Sequence, residues 1–218
     1  SSVKRGEGFY RPLMPFCKGF AHMILPWIQL ENYYGQNLVR PYRDNFVYAT
    51  RNSTFALLCF GDSAGGRDVA LFQSTSLHAE VNALRGELWD RIWAQVGNRK
   101  SGNPRAIITL AINRSSCCGC AQWLSDALAE LRTLGASRGD RFIVAARGIY
   151  EDAAMDTRTT DQDLRKLFGA GWEQQVLYTP RPSIPHDPTR DGLPPYGQQL
   201  YDGLARLGVS TPDPALLP

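Results

Sequence analysis

An apolar run at residues 106–112, Ala-Ile-Ile-Thr-Leu-Ala-Ile, constrains the fold of this chain more than any other feature. A strand that faces water on one side alternates apolar and polar residues, whereas a continuously apolar strand is typical of a sheet covered on both faces. Helical periodicity precedes and follows the run, so helices are available to cover it. The sequence therefore predicts an α/β fold in which helices pack on a central sheet.

The other elements are predicted from shorter patterns of apolar and turn residues. In chain order they are a hairpin (54–60 and 68–73), a helix (77–96), the buried strand, a helix (120–134), a strand (141–146), a helix capped by Thr160 and Asp161 (through 168), a strand (175–178) and a short C-terminal helix (196–207). This order indicates a mixed sheet. Because a helix separates the last two strands, the rule for crossover connections predicts that they are parallel.

Length and composition limit the organisation of the chain. Its 218 residues, 43% hydrophobic and 21% charged, are enough for one buried core with extensions. We expect an N-terminal extension at 1–53 that packs on the core, a core at 54–179, and a Pro/Gly-rich C-terminal extension at 180–218. The net charge of +3 permits an anionic partner without requiring one. No apolar run reaches about 18 residues, so no membrane partner is expected.

Two short fragments carry the chemistry of metal ligands. His78-Ala79-Glu80 lies at the start of the first long helix, and Cys117-Cys118-Gly119-Cys120 lies between the buried strand and the next helix. The first turn of a helix brings the sulfurs of Cys117 and Cys120 to one side, and its unpaired N–H groups stabilise thiolates. If the two helices start side by side, His78 becomes a third ligand. Three protein ligands leave a fourth tetrahedral position for water, which is typical of catalytic zinc.

Glu80 is expected close to this metal without binding it. Zinc lowers the pKa of a bound water to about 7, and the Glu80 carboxylate is then placed to move protons. The carbon attacked would be amidine-like, such as C4 of cytosine or C6 of adenine. A structural zinc site with Cys118 as a fourth ligand is the alternative, although the side chains of adjacent residues normally point apart.

His-x-Glu followed by Cys-x-x-Cys resembles the motif of the cytidine deaminase-like superfamily. The resemblance covers roughly residues 54–179, in motif and in the order of elements. It implies a five-stranded mixed sheet sandwiched by helices, Zn2+ bound by His78, Cys117 and Cys120, and Glu80 as the general acid and base. The chain is most similar to the bacterial deaminase toxin domains, which share this core with the AID/APOBEC proteins.

A third fragment, Ala145-Ala146-Arg147-Gly148-Ile149-Tyr150, looks like the Ala-Arg-(Leu/Ile)-Tyr segment of the AID/APOBEC group, in which the following loop selects the base beside the target. Gly148 interrupts the match. Two other positions depart from the family, since Ser116 replaces a Pro and Arg114 replaces a Trp that lies over the target base in many members. The predicted substrate-binding residues are Ala79, Arg114, Ser115, Ser116, Arg147 and Tyr150.

These residues and the resemblance predict an enzyme, a zinc-dependent cytosine deaminase acting on single-stranded nucleic acid, with DNA favoured over RNA. Two alternatives are open: a deaminase of free nucleosides, nucleotides or adenine, and a zinc-stabilised nucleic-acid-binding module without catalysis. As a toxin or mutator domain the protein would act in the cytoplasm, in the toxin case after delivery into a target cell, and a toxin's producer would need an inhibitory immunity protein. Trp89, Trp93 and Trp123 are expected in the core rather than as base-stacking platforms.

Overall fold

The fold alternates strands and helices through most of the chain, in a computed structural model that describes residues 23–48, 54–97, 104–137, 139–152, 157–181 and 188–208. Its strands are β1 (Ile24–Pro26), β2 (Phe55–Asp62), β3 (Arg67–Gln73), β4 (Ala106–Ile112), β5 (Arg141–Ala146), β6 (Glu151–Asp152), β7 (Thr157–Arg158) and β8 (Glu173–Tyr178). Its α-helices are α1 (Trp27–Tyr34), α2 (Gln36–Val39), α3 (Arg43–Val47), α4 (Ala79–Leu84), α5 (Glu87–Gly97), α6 (Cys118–Leu134), α7 (Asp161–Ala170) and α8 (Pro195–Arg206).

Six strands form the main sheet, in the order β1-β8-β5-β4-β2-β3. β2 is antiparallel to β3 and to β4, whereas the pairs β4–β5, β5–β8 and β1–β8 are parallel. β6 and β7 form a separate two-stranded ribbon. The predicted α/β class and mixed sheet are confirmed, and so is the parallel pairing of β5 with β8, the last two strands predicted.

Alternate side chains of β4 pack on opposite faces of the sheet, which explains why its sequence is apolar throughout. Ile108 and Ile112 join the helices α4 to α8 in one core, whereas Ala111 joins α1, α2 and α3 in a second core. Thr109 is the one polar residue of β4, and its hydroxyl lies 2.7 Å from the hydroxyl of Tyr34 on α1. That hydrogen bond makes burial of the threonine tolerable.

A sixth strand extends the sheet beyond the five that the resemblance implies. β1 pairs in parallel with β8, with Ile24 opposite Val176, and it ends at Pro26, which has no N–H to donate to a longer ladder. A three-residue strand has no alternation for a sequence pattern to detect, so the predicted number of strands is one too low. β1 and α1 to α3 come from the predicted N-terminal extension, of which residues 1–22 and 49–53 lie outside the described residues.

The single helix predicted over 77–96 is in fact two helices, α4 and α5. The chain turns at Arg85 and Gly86, where a β-carbon on Gly86 would lie 2.5 Å from the ring of Phe72. Glycine therefore lets the chain pass close to this β3 side chain before the helix restarts at Glu87. The apolar periodicity continues across the turn, so it indicates one helix where the backbone forms two.

The last two helices close one face of the sheet. Thr160 is the N-cap of α7, as predicted, but its partner in a capping box is Asp163, whereas Asp161 is the first residue of the helix. Leu200 and Leu204 of α8 are buried in the core that contains α4 to α7, so this part of the C-terminal extension packs on the sheet. None of the helices in the described segments is both long and apolar enough to cross a bilayer.

Candidate metal centre

Two helix starts meet where the central strands end. β4 ends at Ile112, and a short loop leads to Cys117, the residue before α6. His78 is the residue before α4, and its extended backbone turns the chain from β3 into that helix. α4 packs against α6, so their first turns lie side by side. The two helices therefore start side by side, which is the arrangement required for His78 to join the two cysteines.

The side chains of His78, Cys117 and Cys120 converge at these helix starts. Nδ1 of His78 lies 3.5 Å from Sγ of Cys117 and 3.2 Å from Sγ of Cys120. All the ligand atoms lie within 4.8 Å of one another. With metal–ligand distances of about 2.0–2.3 Å, the ligands of a tetrahedral zinc would be separated by about 3.6–3.8 Å. The cluster therefore fits an ion such as zinc after small shifts of the side chains.

Short polar contacts hold the His78 loop against β3. The N–H of Ala79 donates to Ser74 Oγ at 3.0 Å, and Asn82 Nδ2 donates to the carbonyl of Gln73 at 2.9 Å. Ala79 is buried and presents no side chain to solvent. The position of the histidine is thus fixed by the backbone around it.

Glu80 lies in the interior beside the cluster. Its side chain is 3% exposed and within hydrogen-bonding reach of the Cys120 thiol. Burial raises the pKa of Glu80 above its ordinary value, and hydrogen bonds from its own backbone and from Cys120 oppose part of that rise. A carboxyl group in this position is suited to gain and lose a proton in turn.

The two cysteines of the cluster differ in their protonation. A hydrogen bond from the Cys120 thiol, helped by the backbone amides of Gly119 and Cys120, lowers the pKa of Cys117 to about 5 although burial opposes it. The pKa of Cys120 is raised, because its thiol donates that hydrogen bond and is desolvated. A thiolate at a helix N-terminus is the form of cysteine that binds metal. Cys118 is exposed and outside the cluster, so the described residues bring together three ligands rather than four.

Ser115 joins the loop after β4 to the loop after β5. Its N–H donates to the carbonyl of Gly148 at 2.8 Å, and its hydroxyl accepts from the N–H of Tyr150 at 2.9 Å. The same hydroxyl lies 2.7 Å from that of Thr159. These contacts hold Tyr150 with its ring centroid 6.1 Å from that of His78. Ser115 is buried, so it positions the neighbouring loop rather than forming part of the surface.

Ser116, at the position where the resembling family has Pro, faces the interior as well. Only 1% of its surface is exposed. Its carbonyl accepts a hydrogen bond from Thr159 Oγ1 at 2.9 Å, and its hydroxyl has no hydrogen-bond partner among the described residues. Ser116 therefore contacts Thr159 through its backbone carbonyl and not through its side chain.

Arg114 and Arg147 leave the sheet on neighbouring strands, because Ile112 at the end of β4 is the register partner of Ala146 at the end of β5. Both guanidinium groups lie near the ring of Tyr196 on α8. Their Cζ atoms are 5.4 Å and 5.8 Å from its centroid, respectively. The structure thus brings the two predicted arginines together on one aromatic ring.

Tyr196 and Thr159 belong to the surroundings of the cluster but are not among the predicted site residues. Both lie far from the motifs in sequence and reach them only through the packing of α8 and of the segment before α7. A lone tyrosine or threonine gives no signal of its own. Gly148 was the available hint, since a glycine that interrupts a strand end often marks close approach of another backbone.

The helical pattern predicts Trp123 in the core, and that prediction is wrong, because Trp123 is 55% exposed. Trp89 is buried as expected, and Trp93 is partly buried against the core. Trp123 lies one turn after Cys120 on α6, on the face that carries the polar Asp126. The position of Asp126 on the same face is the sequence feature that indicates an exposed Trp123 side chain.

The fold and the cluster together define an α/β protein with a His-Cys-Cys group that could bind a metal ion such as zinc. Comparison with protein-family models gives no match, and comparison with curated protein sequences gives none either. The resemblance to the deaminases therefore depends on the motif and on the order of elements.

Proposed function

We propose that the protein is a zinc-dependent enzyme that converts cytosine to uracil in single-stranded nucleic acid. The observation that carries the proposal is the position of Glu80, a buried carboxyl beside a cluster of three potential metal ligands. Three ligands leave a coordination position for water, whereas structural zinc sites use four. The cluster is accessible, since His78 is exposed and Cys117 is half-buried.

The site residues have two roles in the proposed hydrolysis: some would bind the metal, and one transfers protons. His78, Cys117 and Cys120 would hold zinc, which when bound makes water acidic enough to react at neutral pH. Glu80 takes a proton from the water that adds to C4 of cytosine and delivers it to N3 of the ring. It then passes the second proton to the exocyclic nitrogen, the C4–N bond breaks and ammonia leaves. Water and cytosine give uracil and ammonia, with no other reactant.

Two aromatic side chains support a nucleobase as the substrate. The plane of the Tyr150 ring is tilted by 47° to that of His78, and its backbone is held by Ser115. Trp123 is exposed one turn beyond Cys120. Tyr150 is half-buried, and aromatic side chains beside a reaction centre are typical of sites that stack bases.

A single strand is the expected form of the substrate, because a base in a duplex must first leave the stack at a cost of a few kcal/mol. The order of DNA before RNA comes from the resemblance. Action in the cytoplasm, delivery as a toxin and the need for an inhibitory immunity protein also come from the resemblance and remain predictions.

The proposal is tested by deamination of matched substrates. Zinc-loaded protein is incubated with one sequence as single-stranded DNA, single-stranded RNA and duplex DNA, and with free cytidine, deoxycytidine and adenosine. Conversion is measured by sequencing for the polymers and by mass spectrometry for the nucleosides. We expect cytosine conversion in single-stranded DNA first and in RNA second, and conversion lower by roughly 10²–10⁴-fold with a Glu80→Gln control.

The other outcomes separate the alternatives. Conversion of free nucleosides alone would replace the polymer with a small-molecule substrate. Conversion of adenosine would change the target base. A protein that contains one zinc ion per chain and converts none of these substrates would be a binding module.

A further inference from the structure

Three arginines converge beside the candidate metal centre. Arg114 and Arg147 flank the ring of Tyr196. Arg181, which follows β8 and is exposed, lies near enough for its positive charge to act on Arg147. These three residues, Arg114, Arg147 and Arg181, are termed the arginine cluster below.

Tyr196 reaches the arginine cluster because two glycines permit close packing. A β-carbon on Gly148 would lie 2.8 Å from the carbonyl oxygen of Tyr196, and one on Gly197 would lie 3.0 Å from the carbonyl oxygen of Arg147. The N–H of Ile149 donates to the Tyr196 carbonyl at 2.9 Å. The start of α8 is therefore joined directly to the loop after β5.

Backbone carbonyls orient the side chains of this region without cancelling their charge. Arg147 donates a hydrogen bond to the carbonyl of Phe46 on α3. Arg43, on the same helix, donates from Nη2 to the carbonyl of Pro180 at 3.0 Å, next to Arg181. Nε of Arg43 is buried with no hydrogen-bond partner among the described residues. A further donor is thus available beside the cluster.

The positive charge of the arginine cluster is not balanced within the described part of the chain, where none of its members forms an ion pair. Burial and the like charges of its two neighbours lower the pKa of Arg147. By contrast, other arginines are paired with carboxylates in Arg141–Glu173, Arg190–Asp202 and Arg206–Asp161. Arg114 and Arg147 are partly buried and Arg181 is exposed, and guanidinium groups without a counter-ion favour binding of an anion.

We propose that the arginine cluster binds a phosphate group of the nucleotide substrate, and that Tyr196 positions two of its guanidinium groups. The inference rests on the proposed function. Arg114 lies in the loop that carries Cys117, and Ser115 joins that loop by hydrogen bonds to the loop that carries Arg147 and Tyr150, so the arginines and the candidate metal centre share one pair of loops. Guanidinium groups bind phosphate through paired hydrogen bonds, which a lysine or a neutral side chain would not provide in the same geometry.

Binding is the first test. Arg114→Gln and Arg147→Gln are compared with Arg91→Gln, which removes the same charge from an exposed site beside Asp68, near the opposite end of the sheet. Each protein is titrated with a fluorescein-labelled single-stranded DNA dodecamer at several NaCl concentrations. We expect each cluster variant to reduce the slope of log K against log salt by about 0.7 and the affinity by about tenfold. Slopes and affinities equal to those of Arg91→Gln would overturn the proposal.

Turnover then distinguishes the source of the phosphate. Deoxycytidine, its 5′-monophosphate and the oligonucleotide are compared as substrates. A higher KM for both the monophosphate and the oligonucleotide in Arg114→Gln identifies the phosphate of the target nucleotide. A higher KM for the oligonucleotide alone identifies a neighbouring phosphodiester. An equal loss on deoxycytidine would reject a phosphate site. If the unmodified protein converts none of the three, the proposed function fails, while the salt slopes still decide on the arginine cluster.

Tyr196 is tested with two substitutions. Tyr196→Phe keeps the ring but removes the hydroxyl that forms a hydrogen bond with Arg147, so it should weaken binding less than Tyr196→Leu, which removes both and should weaken binding as an arginine substitution does. Melting temperatures show whether both variants are folded. Equal binding by the two folded variants would remove the positioning role of the ring.

Discussion

The candidate metal centre and the arginine cluster lie side by side but are assembled differently. The potential metal ligands come from two adjacent helix starts, where a hydrogen bond from the Cys120 thiol, helped by backbone amides, stabilises the negative charge of Cys117. The arginines come from the ends of β4, β5 and β8, and a ring from α8 holds two of them. In the first region, hydrogen bonds within the chain stabilise the negative charge. In the second region, the positive charge has no ion-pair partner among the described residues.

This difference means that the two regions should fail separately. The metal centre depends on the contact between α4 and α6, and the arginine cluster depends on the docking of α8. Metal content reports on the first region, and the salt dependence of nucleic-acid binding reports on the second. A substitution that changes both measurements would show that the regions are coupled.

Removal of a metal ligand should have the largest effect. Cys120→Ala takes away one of three ligands, so we expect metal content to fall to nearly zero and turnover to fall by several orders of magnitude. Cys118→Ala, at the exposed neighbouring cysteine, should keep both. Elemental analysis and oligonucleotide deamination measure the two quantities. Full metal content in Cys120→Ala would contradict the ligand assignment.

Loss of the proton carrier should come next. Glu80→Gln keeps the shape of the side chain but cannot transfer a proton, so turnover should fall by roughly 10²–10⁴-fold. Metal content and oligonucleotide affinity should be unchanged, because neither uses the carboxylate charge directly. Turnover near that of the original protein would exclude Glu80 as the general acid and base.

Filling the space at Gly148 should damage the arginine cluster and spare the metal centre. Gly148→Ala meets the backbone of Tyr196, so we expect the free energy of unfolding to fall by about 1–3 kcal/mol and oligonucleotide binding to weaken. The control is Gly169→Ala on α7, where an added β-carbon has nothing within 4 Å and should stabilise the helix by about 0.5–1 kcal/mol. Loss of metal from Gly148→Ala would show that α8 also supports the first region.

Substitutions of the two buried serines should have the smallest effects, and the two effects on stability should differ from each other. Ser115→Ala leaves the N–H of Tyr150 without its acceptor, so we expect a loss of about 1–3 kcal/mol in the free energy of unfolding. Ser116→Ala removes a hydroxyl that has no described partner and should change stability by less than about 0.5 kcal/mol. Urea denaturation measures both, and equal losses would be inconsistent with these contacts.

The metal centre could be predicted from the sequence because its geometry is local. Cys117 and Cys120 are joined by one helical turn, and His78 and Glu80 share one helix start, so only the meeting of two helices had to be assumed. β4 was predictable for a similar reason, since burial on both faces leaves a continuous apolar run.

The arginine cluster and β1 could not be predicted in the same way. Arg114 and Arg147 meet because of the register between β4 and β5, and Tyr196 joins them through the packing of a distant helix. The three residues of β1 become a strand only because the edge of β8 is available to pair with them. Neither kind of contact has a period or spacing in the sequence.

The late position of Tyr196 separates the two regions in time during translation. The three metal ligands leave the ribosome well before this residue, and at roughly 5–20 residues per second the interval lasts several seconds. The three potential metal ligands could therefore come together before α8 docks beside the arginine cluster. Under the proposed function, the nascent chain would bind nucleic acid more weakly until α8 had been synthesised.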